Sequence, residues 1–345
     1  MDRITLTRPD DWHLHLRDGA VIADAVAFSA ARFQRAIIMP NLQPPVTTVA
    51  QARAYRERIV AALPAGSSFQ PLMTLYLTDN TSPETIQEAA ASGLIHAVKL
   101  YPAGATTNSD AGVTDLAHCD DTLAAMAEVQ LPLLVHGEVT RDGVDIFDRE
   151  HRFLEERLEP LIQRHATLRV VCEHITTRTA VEFVRQARDG VAATITPQHL
   201  LFNRNHLLVG GIRPHYYCLP VLKRESDRQA LVAAATSGNP RFFLGTDSAP
   251  HPRTAKETAC GCAGCFSAPA AVELYAEVFD QAGCLDRLEG FASHFGADFY
   301  RLPRNSERIT LTRASWPLPT AYPYGDDRIV PLRAGTELAW RLAET

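Results

Sequence analysis

Two histidines one residue apart, His13 and His15, stand in the run Asp11-Trp12-His13-Leu14-His15-Leu16-Arg17-Asp18-Gly19. Alternate side chains of a β-strand share a face, so a strand here turns both imidazoles one way and Trp12, Leu14 and Leu16 the other. Two imidazoles side by side make a chelate for a divalent ion. A histidine pair at a strand end is often merely exposed, so its meaning depends on what lies downstream. Lys99 sits inside Ala97-Val98-Lys99-Leu100-Tyr101, and His136 closes Leu133-Leu134-Val135-His136. His174 follows Val170-Val171-Cys172-Glu173, and Asp247 follows Phe243-Leu244-Gly245-Thr246. Four histidines and a carboxylate suit one or two Zn²⁺ ions, with Mn²⁺ or Co²⁺ tolerated. The lysine is the odd member. Buried in an apolar strand, its ammonium form is disfavoured, and a neutral amine can take up CO₂ as a carbamate, an anion able to bridge the two ions that two-metal hydrolysis uses.

These residues punctuate a rhythm of short apolar runs: Trp12–Leu16, Ala36–Met39, Pro71–Leu77, Ala97–Leu100, Pro132–His136, Arg169–Glu173, Val191–Ile195 and Arg241–Leu244. Helical patterns lie between most of them, over Val49–Ala62, Pro83–Ala91, Cys119–Val129, Asp148–His165 and Glu225–Ser237. Near-continuous apolar strands alternating with helices predict a parallel sheet covered by helices. Eight such units predict an α/β fold of the (β/α)8 TIM-barrel type, with the chemistry at the C-terminal mouth of the strands. A doubly wound open sheet competes, but no Gly-rich phosphate loop follows the first strand. Lys99 to His136 spans 37 positions, His136 to His174 38, His174 to Asp247 73 and His15 to Lys99 84. At roughly 30 residues per barrel unit, these are one, one, two and three strand steps, so the six residues can meet at one mouth.

Two long excursions break the rhythm, 196–223 and 248–268, and loops of that length are usually functional. The 345 residues are read as one barrel domain, 1–345, with the Pro-rich segment 302–345 packing on it. Hydrophobic residues at 46% allow a sizeable core. A net charge of −6 without a basic stripe argues against nucleic acid. No apolar run approaches the roughly 18–20 residues of a membrane span, and Met1–Pro9 is too polar for a secretory signal. Seven cysteines, three of them in Cys260-Gly261-Cys262-Ala263-Gly264-Cys265, do not make a disulfide framework in a chain this long, which points to the cytoplasm. That cluster could bind zinc or seed an iron–sulfur centre, but it lacks an evident fourth ligand and equally suits a tight loop over the mouth.

In their order, HxH on strand one, Lys on four, His on five and six and Asp on eight, the residues resemble the amidohydrolase superfamily. More narrowly, the chain resembles the shorter, single-function bacterial dihydroorotase family. Further segments that carry the likeness are Met39-Pro40-Asn41-Leu42, Lys99-Leu100-Tyr101-Pro102, Glu173-His174-Ile175-Thr176-Thr177, Ile195-Thr196-Pro197-Gln198-His199-Leu200 and Gly245-Thr246-Asp247-Ser248-Ala249-Pro250-His251. The resemblance implies that His13, His15 and Asp247 bind one zinc and His136 and His174 the other, two Zn²⁺ per chain, bridged by Lys99 as N6-carboxylysine. It implies metal-bridged hydroxide chemistry that reversibly cyclises N-carbamoyl-L-aspartate to L-dihydroorotate with loss of water, in pyrimidine (UMP) biosynthesis, with Asp247 as general acid/base. It assigns Arg17, Asn41 and His251 to the substrate carboxylate and backbone groups of Leu219 and Ala263 to its ring. A homodimer is usual for this class. The small-residue loop Pro102–Gly112, with Thr106 and Thr107, suits a mobile lid. The rivals are a hydantoinase or dihydropyrimidinase on the same metal pair, whose substrates lack the carboxylate that Arg17 and Asn41 would bind, and a non-catalytic barrel, which would have shed ligands.

Overall fold

The computed structural model describes residues 2–343. Eight parallel strands form one sheet in chain order: β2 (Asp10–Leu14), β3 (Arg35–Ile38), β4 (Gln70–Tyr76), β5 (Ile95–Leu100), β6 (Leu133–Val135), β7 (Val170–Cys172), β8 (Val191–Ile195) and β9 (Phe242–Leu244). Helices such as Val49–Ala61, Pro83–Ala91, Asp120–Glu128, Arg178–Gln186 and Glu225–Ala235 lie between them. Their starts are written locally: Thr48 and Gln51 form a reciprocal capping box, and Ser82 caps a helix that opens on Pro83. Two faces of the sheet are buried, which is why the strands read as continuous apolar runs. Ile38, Met73, Val98, Leu133, Val170 and Leu244 join the large core under the helices. Ile37, Leu72, Ala97, Leu134, Val171, Ala192 and Phe243 fill the barrel interior.

Among the described residues no strand ladder pairs β9 with β2. The seam is closed instead by Asp11, whose buried carboxylate accepts from Thr246 N at 2.8 Å and from the Thr246 hydroxyl at 2.5 Å. Asp247 N donates to His13 O at 2.9 Å, and His15 N to Ser248 O at 3.1 Å. A bulge between Asp11 and Leu14 shifts the β2 register. It overturns the expectation that Trp12 shares a face with Leu14 and Leu16. Trp12 belongs to the interior cluster and the two leucines to the outer core, because the extra residue reverses the alternation.

The barrel floor is plugged by helix Phe295–Tyr300. The Tyr300 ring stacks on Trp12 with centroids 4.5 Å apart, and Gly296 lies so close beneath that a Cβ there would fall 2.0 Å from Trp12 Nε1. The helical pattern read over 148–165 is broken into Arg149–Phe153, a wide π turn Leu154–Leu158 and Glu159–Arg164. Pro160 supplies no N–H and crowds the carbonyl four residues back, so the turn opens there.

A second, antiparallel sheet joins β1 (Arg3–Thr7), β10 (Arg308–Pro317) and β13 (Glu337–Leu342), and β11 (Tyr322–Tyr324) with β12 (Asp327–Ile329) forms a hairpin. Glu277 and Asp280 of helix Ala271–Gln281 bond Ala339 N and Trp340 Nε1, tying this sheet to the barrel wall. Among the described residues, no helix is long and apolar enough to cross a membrane.

Candidate active site

Inward-facing residues two positions above the apolar layer are polar: Lys99 over Ala97, His136 over Leu134, Glu173 over Val171 and Thr194 over Ala192. The strand period alone therefore raises a polar storey at the C-terminal end. His13, His15 and Asp247 join it from the β9–β2 seam. One ligand atom from each of these three lies within 4.8 Å of the others. His13 Nε2 and His15 Nε2 are 3.3 Å apart, and Asp247 Oδ1 is 3.4 and 3.2 Å from them. The His174 ring lies tilted beside His13 with centroids 5.0 Å apart, and His136 lies edge-on to His174 at 4.8 Å. Two of these placements need unusual backbone: His174 and Asp247 have φ of 41° and 46°, and Arg17, nearby, has 64°. Left-handed non-glycine residues are sparsely populated, and their gathering at one mouth marks a site held against local preference.

The donor set fits divalent metal. Burial pushes the imidazoles of His13, His15 and His174 below their ordinary pKa, so their lone pairs are free for an ion. His13 Nδ1 donates to Glu173 Oε2 at 2.6 Å, which leaves Nε2 facing Asp247. His136 Nε2 is held by Glu138 Oε2 at 2.9 Å. Lys99 is fully buried, its Nζ has no hydrogen-bond partner, and it hangs 5.0 Å over the Tyr101 ring. Burial lowers its pKa to about 8. An unpaired buried ammonium costs several kcal/mol, so a neutral amine, or an anionic carbamate facing cations, fits this place better.

Arg17, Asn41, Thr106, Thr107, Leu219 and Ala263 line the same cavity as His13, His15, His136, His174 and Asp247. His251 stands at its edge: Arg17 Nη2 and the Ala263 carbonyl lie 2.7 and 3.0 Å from its Nε2. The loop after β5 folds over the mouth. Asn41 Nδ2 donates to Thr107 O at 3.0 Å, Asn108 Nδ2 to Asn41 O at 3.1 Å, and the Thr107 hydroxyl to Ala263 O at 3.4 Å. Its base is fixed by Val113 N donating to Tyr101 O and Ala103 N to Val113 O.

Sequence reasoning missed the residues behind the histidines. Thr194 Oγ1 donates to Glu173 Oε2 at 2.8 Å and accepts from His174 N at 2.7 Å, so Glu173 and His174 share a brace. Glu150 takes the N–H and hydroxyl of both Thr176 and Thr177, pinning the turn after His174. The available signal was position: Glu173 adjoins His174, and Glu138 stands two residues past His136. The Cys260/Cys262/Cys265 segment gathers no metal cluster among the described residues. Cys260 and Cys262 have Sγ atoms 4.0 Å apart at the surface, and Cys265 is buried.

A model of the amidohydrolase family matches residues 10–311. A curated dihydroorotase of Alkalilimnicola ehrlichii is 72% identical over 342 residues, covering 99% of this chain and all of the relative. Among solved structures, a dihydroorotase from Campylobacter jejuni superposes with a TM-score of 0.91 at 36% identity, covering 99% of this chain and 98% of that one. A dihydroorotase from Saccharomyces cerevisiae, in complex with 5-fluoroorotic acid, gives 0.91 at 34% identity with 99% of both chains covered.

Proposed function

The chain belongs to the dihydroorotase branch of the amidohydrolase family, and on that premise we propose that it interconverts N-carbamoyl-L-aspartate and L-dihydroorotate, closing the ring with loss of water. The observation that carries this reading is the guanidinium of Arg17 and the amide of Asn41 lining one cavity with the His13–His15–Asp247 cluster. A ring amide next to the metal ligands and a carboxylate next to Arg17 describe one small molecule. Neutral cyclic amides, the substrates of the hydantoinase rival, would leave that half-buried cation without a counter-charge.

His13, His15 and Asp247 would hold one zinc and His136 and His174 a second, with carboxylated Lys99 between them. Zinc bound there supplies a Lewis acid for the amide carbonyl and water activated near neutral pH. The chain's own residues do the rest. Arg17, Asn41 and His251 seat the substrate carboxylate, and backbone groups of Leu219 and Ala263 receive the ring. Asp247 takes the proton given up by the attacking water and passes it to the ring nitrogen as the ring opens, and returns it from that nitrogen to the departing water as the ring closes. Thr106 and Thr107 bond the substrate when the lid shuts and keep bulk water out.

The enzyme so described is a cytoplasmic homodimer, a placement supported by seven free cysteines; sedimentation at twice the 37.9 kDa chain mass tests the dimer. The experiment for the reaction is ring closure of N-carbamoyl-L-aspartate by zinc-loaded protein. Turnover that vanishes in Lys99→Ala is expected. Two zinc ions bound without turnover would move the substrate to the neutral cyclic amides.

A further inference from the structure

Leu219 and Ala263, the residues set against the ring, sit on separate excursions, after β8 and after β9. One side chain joins the two. Lys256 Nζ donates to the carbonyls of Tyr217 at 2.8 Å, Cys262 at 2.7 Å and Gly264 at 2.9 Å. It is 3% exposed, and no carboxylate among the described residues forms an ion pair with it. A buried ammonium without a counter-ion is poor value for stability alone, since an apolar chain of like volume would serve as well. Three charge-assisted bonds to two different loops do something an apolar chain cannot: they fix a distance. The rest of the contact agrees. Gly264 N donates to Tyr217 O at 3.0 Å. A Cβ on Gly264 would meet Ala249 O at 2.8 Å, so the segment has no slack toward β9. On the far side His199 Nε2 donates to Pro220 O at 2.9 Å.

We propose that Lys256 is a positioning residue, whose ammonium clamps segments 217–219 and 262–264 together and so sets the spacing of the Leu219 and Ala263 backbone groups that receive the substrate ring. The proposal rests on the dihydroorotase reading. Because Ala263 O also touches His251 Nε2 and the Thr107 hydroxyl, releasing the clamp loosens the carboxylate seat and the lid landing together.

The test uses full-length, zinc-loaded wild type, Lys256→Met, which keeps the stem and loses every donor, and Lys256→Gln, which keeps two. KM for L-dihydroorotate should rise at least tenfold in Lys256→Met and less in Lys256→Gln, with any fall in kcat smaller than the rise in KM and zinc content unchanged. Cys265, buried directly after the clamped segment, should become open to alkylation, read by peptide mapping. An unchanged KM in a folded variant overturns the proposal, because a merely structural lysine would lower Tm and the active fraction but not KM. If Lys256→Met does not fold, Lys256→Gln decides. Wild type that fails to turn over L-dihydroorotate condemns the functional reading instead. Cys265 mapping then still decides the clamp: protection retained in the variants refutes it, and protection lost supports it.

Discussion

Glu173→Gln removes one charge and leaves the shape. Glu173 is buried; its Oε2 accepts from His13 Nδ1 at 2.6 Å and from Thr194 Oγ1 at 2.8 Å, while Oε1 has no partner. A glutamine can place its carbonyl oxygen at the Oε2 position, keep both bonds and rest its amide where Oε1 stood. What disappears is the negative charge that makes His13 Nε2 electron-rich toward an ion. A bond to a charged group contributes about 1.5–3 kcal/mol against about 1 for a neutral one, so the difference is about 1–2 kcal/mol. That is roughly five- to thirtyfold in metal affinity, overlapping the roughly 10–100-fold known for groups that orient metal-bound histidines. Competition of metal-free protein with a chromophoric zinc chelator at neutral pH measures it, with Tm of the metal-free variant as the control for folding. Affinity within twofold of wild type would refute the assignment of Glu173 as the charge that tunes His13. A loss far beyond a hundredfold would mean that the histidine had moved, not merely lost a charge.

Thr106→Ala with Thr107→Ala removes two neutral hydrogen bonds from the closed lid, about 2 kcal/mol, so kcat should fall roughly thirtyfold with zinc content normal; unchanged kinetics would sink the lid. Gly296→Ala drives a methyl against the Trp12 ring, an overpacking cost of about 1–3 kcal/mol, and should lower Tm by several degrees, whereas an unchanged Tm would show slack in the barrel floor. His199 is held neutral by burial, its pKa down to about 4 from 6.5. Between these values the unfolded chain binds a proton that the folded one refuses, so this group's share of stability, up to about 3 kcal/mol, is lost as pH falls from 6.5 toward 4. Denaturant midpoints of His199→Gln should fall less steeply than wild type across that window, and parallel slopes would contradict the argument.

The barrel was legible because its strands are buried on both faces and read as uninterrupted apolar runs, and the candidate ligands because each breaks such a run with a polar side chain. Spacing carried the rest, since the separations between ligands average out to whole strand steps, although single steps run from 21 residues (β7 to β8) to 51 (β8 to β9). What stayed hidden depends on contacts far apart in sequence. The direction of Trp12 turns on a bulge that no alternation pattern announces. Glu173 meets its partner 160 residues away. Lys256 sits in Arg253-Thr254-Ala255-Lys256-Glu257, which reads as an exposed helical turn, and only the arrival of two carbonyl-bearing loops buries it. The left-handed turns at His174 and Asp247 carry no glycine to advertise them.

Pairing of β1 with β10 sets Arg3 opposite Thr312 and Thr7 opposite Arg308. A ribosome adds about 5–20 residues per second, so the partner strand β10 is made about 15–60 s after β1. The barrel seam bonds use nothing beyond Ser248, so they can form well before then. During the interval β1 offers a bare hydrogen-bonding edge, with Leu6 uncovered, to any neighbouring nascent chain. Nascent chains halted after Ser248 has left the tunnel but before Arg308 is made would carry a shut seam and an unclasped β1, and crowding on one messenger would favour joining them edge to edge.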